Sequence, residues 1–289
     1  MRSFVSEGSA TPVVSRVVEQ PTYLLPRDED FENTFHSTAD FMNMMLVDLI
    51  LRNGSGRNSS LLQQWQVVLF DRFAEGPYKD LIQRALSPQH PLLRHTDYGS
   101  EVALFKQLIF HLESPAALIF PEVAVPDPLT CFSTGLFHEY RKLILTAFNL
   151  WKVPPPEIPF VLLSVRHRTP LKNVGRILAN EKDVLGVLRE GNMIRLKVVD
   201  SAALSFEEQL RSARTSNVII GVHGAGLMHI LFAAEEAVLL EIHPSYRQDR
   251  HFRHAARMAG KIYLPMRSTQ RETCVGTSEN YSVLHCSFY

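Results

Sequence analysis

Cysteine is scarce, with only Cys131, Cys274 and Cys286 in 289 residues. Their spacing matches no zinc pattern, and an odd number cannot all pair within one chain. Cys274 with Cys286 is one disulfide the positions allow, and three free thiols fit equally well. No apolar run approaches a membrane-spanning length, so no membrane span is expected in this chain. The start, from Met1 to Ala10, lacks the basic-then-apolar profile of a signal peptide. An excess of either charge is missing too: Lys+Arg and Asp+Glu both number 30. Bulk charge therefore gives no reason to expect nucleic acid or an anionic membrane as a partner, and any basic site must be local. The P-loop pattern, the dinucleotide fingerprint and the Ser-His-Asp and Cys-His orders are all absent. So are internal repeats and low-complexity tracts.

What is present is ordinary globular material, 45% hydrophobic and 21% charged. It suffices for a sizeable core, in two modest domains or one large one. Three glycosylation sequons occur, Asn53-Gly54-Ser55, Asn58-Ser59-Ser60 and Asn280-Tyr281-Ser282, and they leave passage through a lumen open.

Residues 1–26 read as a polar tail or strand. From Phe31 to Leu51 the apolar positions recur at helical spacing, closed by Asn53-Gly54-Ser55-Gly56. Residues 66–70 read as a buried strand, 79–86 as a helix ended by Pro88, and 135–148 as another helix. The type of 102–111 is not decided by its pattern. Trp151-Lys152-Val153-Pro154-Pro155-Pro156-Glu157-Ile158-Pro159 excludes helix and is the best linker. A boundary falls there, giving domains 1–152 and 153–289. In the second, strands at 160–165, 195–199, 218–222 and 238–242 alternate with helices at 180–190, 205–214 and 227–233. Ser205-Phe206-Glu207-Glu208 opens the middle helix as a capping box. Such alternation indicates a parallel sheet flanked by helices, and the first half carries a weaker version of it. A two-lobed α/β enzyme with its site in the cleft is expected.

Ligands of parallel sheets bind beyond the carboxyl ends of the strands. Three candidate groups sit there. Gly221-Val222-His223-Gly224-Ala225-Gly226-Leu227 joins a strand to a helix. Its glycines permit close approach, and the free amides of a helix start suit a phosphate. Taken alone, a packing turn explains it as well. Arg166-His167-Arg168 leaves the strand 160–165, and guanidinium forks match phosphate geometry; solvated surface is the plainer reading of either arginine by itself. Glu241 ends a strand at the same edge, where a carboxylate can accept both hydroxyls of a ribose or simply join a salt bridge. In the first half Asn33, His36 and Asp40 share one helical face. His36 or Asp40 is the candidate base for an acceptor hydroxyl, with capping and packing as the alternative.

In this order, the segments resemble the glycosyltransferase family that contains the EGF-domain-specific O-linked N-acetylglucosaminyltransferase. The same family holds protein O-mannose β-1,4-N-acetylglucosaminyltransferase and plant xylan xylosyl- and arabinosyltransferases. The likeness lies in Asn33-Thr34-Phe35-His36-Ser37-Thr38-Ala39-Asp40, Cys131-Phe132-Ser133-Thr134-Gly135-Leu136-Phe137, Leu163-Ser164-Val165-Arg166 and Arg176-Ile177-Leu178-Ala179-Asn180-Glu181. It is most specific in Ile220-Gly221-Val222-His223-Gly224-Ala225-Gly226-Leu227-Met228-His229 followed by Leu240-Glu241-Ile242. The resemblance implies a GT-B architecture, two Rossmann-like lobes with parallel sheets, the N-terminal lobe shortened here. It implies inverting transfer of N-acetylglucosamine from UDP-GlcNAc to Ser/Thr hydroxyls of protein (EGF-like) acceptors, an O-glycosylation. Donor binding then falls to Arg166, Arg168, His223, Gly224, Ala225, Gly226, Leu227 and Glu241, and catalysis to His36 or Asp40. No cofactor and no metal ligand set is required, although a divalent ion stays compatible. The implied partners are a UDP-sugar donor and a protein or glycan acceptor, in the endoplasmic reticulum or Golgi lumen. One departure is the acidic Asp-Tyr-Asp stretch of the EGF-domain enzyme, absent before Phe105-Lys106. Another UDP-sugar such as UDP-xylose on a glycan, or a non-catalytic nucleotide- or glycan-binding relative, are the competing expectations.

Overall fold

The computed structural model describes residues 13–56, 60–112, 133–154, 156–167, 176–178, 180–190, 194–243 and 250–267, with the backbone of 273–275 and 285–287. Its framework is two parallel sheets. In the first half, β2 (Thr22–Leu25), β3 (Gln66–Leu69), β4 (Leu93–Arg94) and β6 (Leu108–Phe110) form a sheet in the order β4-β3-β2-β6. All its pairs are parallel. Beside it, β1 (Arg16–Val18) pairs in parallel with β5 (Ala103–Phe105). The tail expected over 1–26 thus contributes two strands, and the undecided stretch 102–111 two more.

The second half carries β7 (Phe160–Val165), β8 (Arg195–Asp200), β9 (Val218–Val222), β10 (Val238–His243) and β11 (Ile262–Arg267), in the order β11-β10-β9-β7-β8. This sheet is wholly parallel as well. Four strands match the expected ones. The fifth, β11, holds Pro265, which weakens its strand signal but is tolerated at an edge. A last antiparallel pair, β12 (Thr273–Val275) and β13 (His285–Ser287), sets Cys274 opposite Cys286.

Helix α1 (Thr34–Ser55) is central. Asn33 caps it by accepting from the Phe35 N–H at 3.0 Å, and Gly56 closes it at φ 67°. Burial runs around most of its circumference, from Phe35 and Ala39 to Met44 and Asp48, as expected of a helix enclosed by neighbours rather than laid on a surface. It packs on α3 (Gly135–Ala147) and on a 3₁₀ helix, Ala225–Phe232. The latter stands where an α-helix over 227–233 was expected.

A single apolar cluster runs through both halves, from Tyr23 and Trp65 of the first to Leu231 and Leu239 of the second. Tyr23 and Trp65 stack at 5.1 Å within it. Charged anchors reinforce the junction. Arg141 of α3 donates to the Ala233 carbonyl at 2.9 Å and pairs with Glu235. Arg84, in the helical stretch that begins as α2 (Lys79–Leu81), donates to the Ala147 carbonyl at 2.9 Å and to Glu207 at 2.8 Å. Glu207 lies on α5 (Phe206–Arg214), whose Ser205–Glu208 capping box forms as expected. The remaining helices are α4 (Glu181–Glu190) and α6 (His251–Met258).

Candidate functional site

The carboxyl edge of the second sheet gathers the candidate residues. In the register, Gly221 on β9 sits between Ser164 on β7 and Glu241 on β10. The three glycines of the loop then do different work. A Cβ on Gly221 would lie 2.9 Å from the Leu227 side chain and 3.0 Å from the Ser164 carbonyl oxygen. One on Gly226 would lie 3.0 Å from Ser164 Oγ. These two allow the 3₁₀ helix to pack down on the sheet. Gly224 is different, because the atoms in the way are those of the Arg166 guanidinium. Its backbone is extended, so close approach and not an unusual turn requires glycine there.

Arg166 is therefore seated on the loop at the start of the helix Ala225–Phe232. Burial brings its pKa down to about 10, helped by the nearby charge of Arg176 and opposed by Asp200. Arg176 itself adopts a left-handed backbone, φ 61°, a conformation that non-glycine residues hold only where their surroundings impose it. Two like charges are thus held close at this edge, with the Asp200 carboxylate beside Arg166. The Ala225 and Gly226 amides, at the helix start, add positive partial charge. The Leu227 amide is already committed, donating to the Gly224 carbonyl at 2.9 Å. His167 is engaged with carboxylates, its Nε2 3.1 Å from Glu181 and its amide donating to Asp200 at 3.1 Å. Arg168 lies outside the described residues.

His223 is buried at the tip of β9, its amide donating to the Ile242 carbonyl at 3.0 Å. Its Nδ1 is 2.5 Å from Glu241 Oε1. Glu241 is fully buried, and its other oxygen accepts from the Tyr263 hydroxyl at 2.8 Å. Burial raises the Glu241 pKa, but hydrogen bonds from His223 and His243 outweigh it and hold the carboxyl at about 2. An exposed carboxylate ready to accept a ribose is not what this geometry offers; the expectation is corrected to a buried carboxylate engaged with His223 and Tyr263. His223, Glu241 and His243 each offer a ligand atom within 4.8 Å of one another. That spread is loose against the roughly 3.3 Å between neighbouring ligands around zinc. With the Tyr263 hydroxyl bonded among them, the group is a hydrogen-bond network.

The first half presents His36 and Asp40 differently. His36, about a quarter exposed, has Nδ1 2.8 Å from Asp28 and Nε2 3.6 Å from Asp30. Asp40, one turn on, is 1% exposed, with Oδ1 3.3 Å from His111 Nε2. The other nitrogen of His111 is 2.8 Å from the Tyr23 hydroxyl. Asp40 thus belongs to a buried Asp–His–Tyr set, so of the two candidate bases only His36 reaches solvent. Aromatic rings connect the halves: Phe35 meets Phe252 at 5.9 Å, and Phe252 meets His223 at 5.0 Å. Asp28, Tyr263, His243 and Phe252 carried no signal in the sequence, since each acts through a residue distant in the chain or on an element without strong periodicity.

Parallel α/β sheets with a guanidinium seated at a strand-to-helix turn offer a place where an anionic ligand can bind. A family model described as Glycosyltransferase 61 matches residues 34–240, and the chain belongs to that family. It is 26% identical over 259 residues to the EGF domain-specific O-linked N-acetylglucosamine transferase of Gallus gallus, covering 88% of this chain and 46% of that one. The Drosophila melanogaster protein of the same name is 25% identical over 249 residues, with coverages of 86% and 45%. The chain therefore spans about half the length of these relatives. Among solved structures, the bacterial iron-containing dodecameric glycosyltransferase TibC from enterotoxigenic E. coli aligns at a TM-score of 0.37 and 13% identity, over 96% of this chain and 70% of that one. E. coli heptosyltransferase WaaC with ADP aligns at 0.40 and 9% identity, over 86% and 93%.

Proposed function

We propose that this chain is the donor-binding and catalytic core of an inverting transferase that moves N-acetylglucosamine from UDP-GlcNAc to Ser/Thr hydroxyls of EGF-like protein acceptors. The observation that carries the reading is Arg166, seated on Gly224 at the start of a helix. A guanidinium beside helix-start amides suits a phosphate group, and the diphosphate of a nucleotide sugar would supply one. As the anomeric C1–O bond breaks, its electron pair passes to the β-phosphate oxygen. Groups fixed beforehand around that oxygen lower the barrier most, because they need no reorganisation during reaction. Arg166, Arg176 and the Ala225 and Gly226 amides supply them. In the same displacement the acceptor hydroxyl bonds to C1 and gives its proton to His36. Asp28 orients that imidazole, as a carboxylate does for a histidine base.

The relatives' names supply the choice of sugar and acceptor, and the endoplasmic reticulum or Golgi lumen is the compartment we propose for such a transferase. Among the described residues no helix is long and apolar enough to cross a membrane. In this reading the cationic groups at the diphosphate position take the part that a divalent ion plays in other transferases, and titration with and without EDTA tests it. Isothermal titration of the full chain with UDP-GlcNAc, in buffer containing EDTA, tests the donor reading. Saturable binding with UDP-GlcNAc preferred over UDP-xylose is expected. No binding up to millimolar donor removes the reading, and a preference for UDP-xylose removes the sugar assignment.

A further inference from the structure

The turn holding Gly224 and Gly226 has little stiffness of its own, because glycine backbone is free to swing. Nor can Gly226 be stiffened by a side chain: a Cβ there would lie 3.0 Å from Ser164 Oγ and 3.3 Å from Ser201 Oγ. Two hydrogen bonds supply the restraint instead. The Leu227 amide donates to the Gly224 carbonyl at 2.9 Å. The Gly226 carbonyl, at the other end of the same peptide unit, lies 2.9 Å from Nδ1 of His229. A carbonyl can only accept, so Nδ1 carries the proton and donates it. A peptide unit is planar, and the one joining Gly226 to Leu227 is therefore held at both ends. The unit joining Gly224 to Ala225 is held through its carbonyl. Between these two lies the unit that carries the Gly226 amide, flanked on either side by a fixed plane.

Packing alone does not account for a histidine at position 229. The side chain is buried, with the rings of Phe206 and Phe232 each 6.5 Å away. Its Nε2 has no hydrogen-bond partner among the described residues. Burial lowers the pKa of the ring, against the Gly226 bond, which raises it. The imidazole is thus neutral, with its one proton on Nδ1. Leucine would fill these apolar surroundings without stranding a buried acceptor. What the histidine adds is a donor to Gly226.

Resting on the diphosphate reading above, we propose that His229 is a positioning residue for the donor loop. Its Nδ1–H pins the Gly226 carbonyl and so fixes the peptide units on which the Gly226 amide is presented to the diphosphate. The imidazole itself need not touch the ligand. Arg166 is served by the same clamp, because its guanidinium is seated against Gly224, whose carbonyl receives the Leu227 amide. Groups held in place before the ligand arrives bind it without losing the freedom they would otherwise give up.

The test sets three substitutions against wild type in the full chain, each read by isothermal titration with UDP and by thermal unfolding. In His229→Asn the side-chain amide nitrogen falls near the place of Nδ1 and can still donate to Gly226, but the smaller group leaves a gap. In His229→Leu the space is filled and nothing donates. The leucine variant should bind UDP about tenfold more weakly, as for one lost hydrogen bond, while melting at or above wild type. The asparagine variant should melt several degrees lower, as for a small cavity, yet bind UDP within about threefold of wild type. His229→Gln places its donor nearer the position of Nε2 and should bind as weakly as leucine, so the comparison does not depend on one variant folding. UDP affinity that follows melting temperature across the three variants overturns the inference, because that is what a merely structural residue gives. Wild-type affinity in His229→Leu or His229→Gln overturns it too, and leaves the diphosphate reading standing. Failure of wild type to bind UDP is a separate result, and it sinks the diphosphate reading itself.

Discussion

The Arg166 guanidinium lies against the α-carbon of Gly224, in the space any side chain there would fill. The atoms in conflict are the far end of a flexible side chain, so the backbone does not have to move to admit a methyl group. Gly224→Ala should displace the guanidinium and leave the fold intact. UDP-GlcNAc affinity is expected to fall at least tenfold, while urea unfolding changes by less than about 1 kcal/mol, as for a substitution that disturbs no core packing. Gly221→Ala makes the contrast. Its new Cβ would crowd Leu227 and the Ser164 backbone, and the cost should appear as about 1–3 kcal/mol of stability, in the range of an overpacked core. If both variants lose stability alike and bind alike, Arg166 does not depend on Gly224.

His36 and Asp40 occupy the same helix one turn apart, and their environments predict opposite phenotypes. Removing the His36 imidazole takes away the proposed base. His36→Ala should lower kcat about 100-fold, within the 10²–10⁴ typical of general-base loss, with melting temperature near wild type. Asp28→Asn keeps the shape but not the charge that orients the ring, and a smaller loss in kcat is expected. Asp40→Ala should instead act on folding, because it strands His111 in the interior. A cost of about 1–3 kcal/mol is expected for a buried polar group left unsatisfied. Turnover measured beside thermal unfolding separates the two; normal kcat in His36→Ala would remove His36 from the mechanism.

The second sheet was readable because its strands, Phe160–Val165 and Val218–Val222 among them, are short apolar runs separated by amphipathic or capped helices. Positions at strand ends follow from that, which is why Arg166, His223 and Glu241 could be brought to one edge. The first half was harder. β1 and β5 pair across more than eighty residues, Arg16 with Ala103, and three-residue strands carry almost no alternation to detect. Helix α1 is apolar on most sides, so its periodicity could place His36 and Asp40 on one face but not say that Asp40 goes inward. Glu241 shows the same limit at the level of chemistry. Its position was legible, whereas its role depends on His243 and Tyr263, and the partner strand β11 is obscured by Pro265.

Glu241 also predicts how stability responds to acid. Its carboxyl is held at about 2 against an ordinary 4.5, the hydrogen bonds of His223 and His243 prevailing over burial, which acts the other way. A carboxyl depressed by folding stabilises the native state above its unfolded pKa, and that contribution is lost as pH falls toward the folded value. The window is therefore pH 4.5 down to 2, and the contribution is on the order of 3 kcal/mol for a shift of this size. Urea unfolding of wild type and Glu241→Gln across pH 2–6 measures it. Wild type should lose about that much more stability than the variant over the window, since glutamine has no proton to gain there. The variant should also be the less stable protein at pH 6, where His223 and Tyr263 face a neutral amide in place of a charge. Parallel curves for the two proteins would mean that Glu241 titrates like an exposed carboxylate, and that the buried network around His223 is not formed in solution.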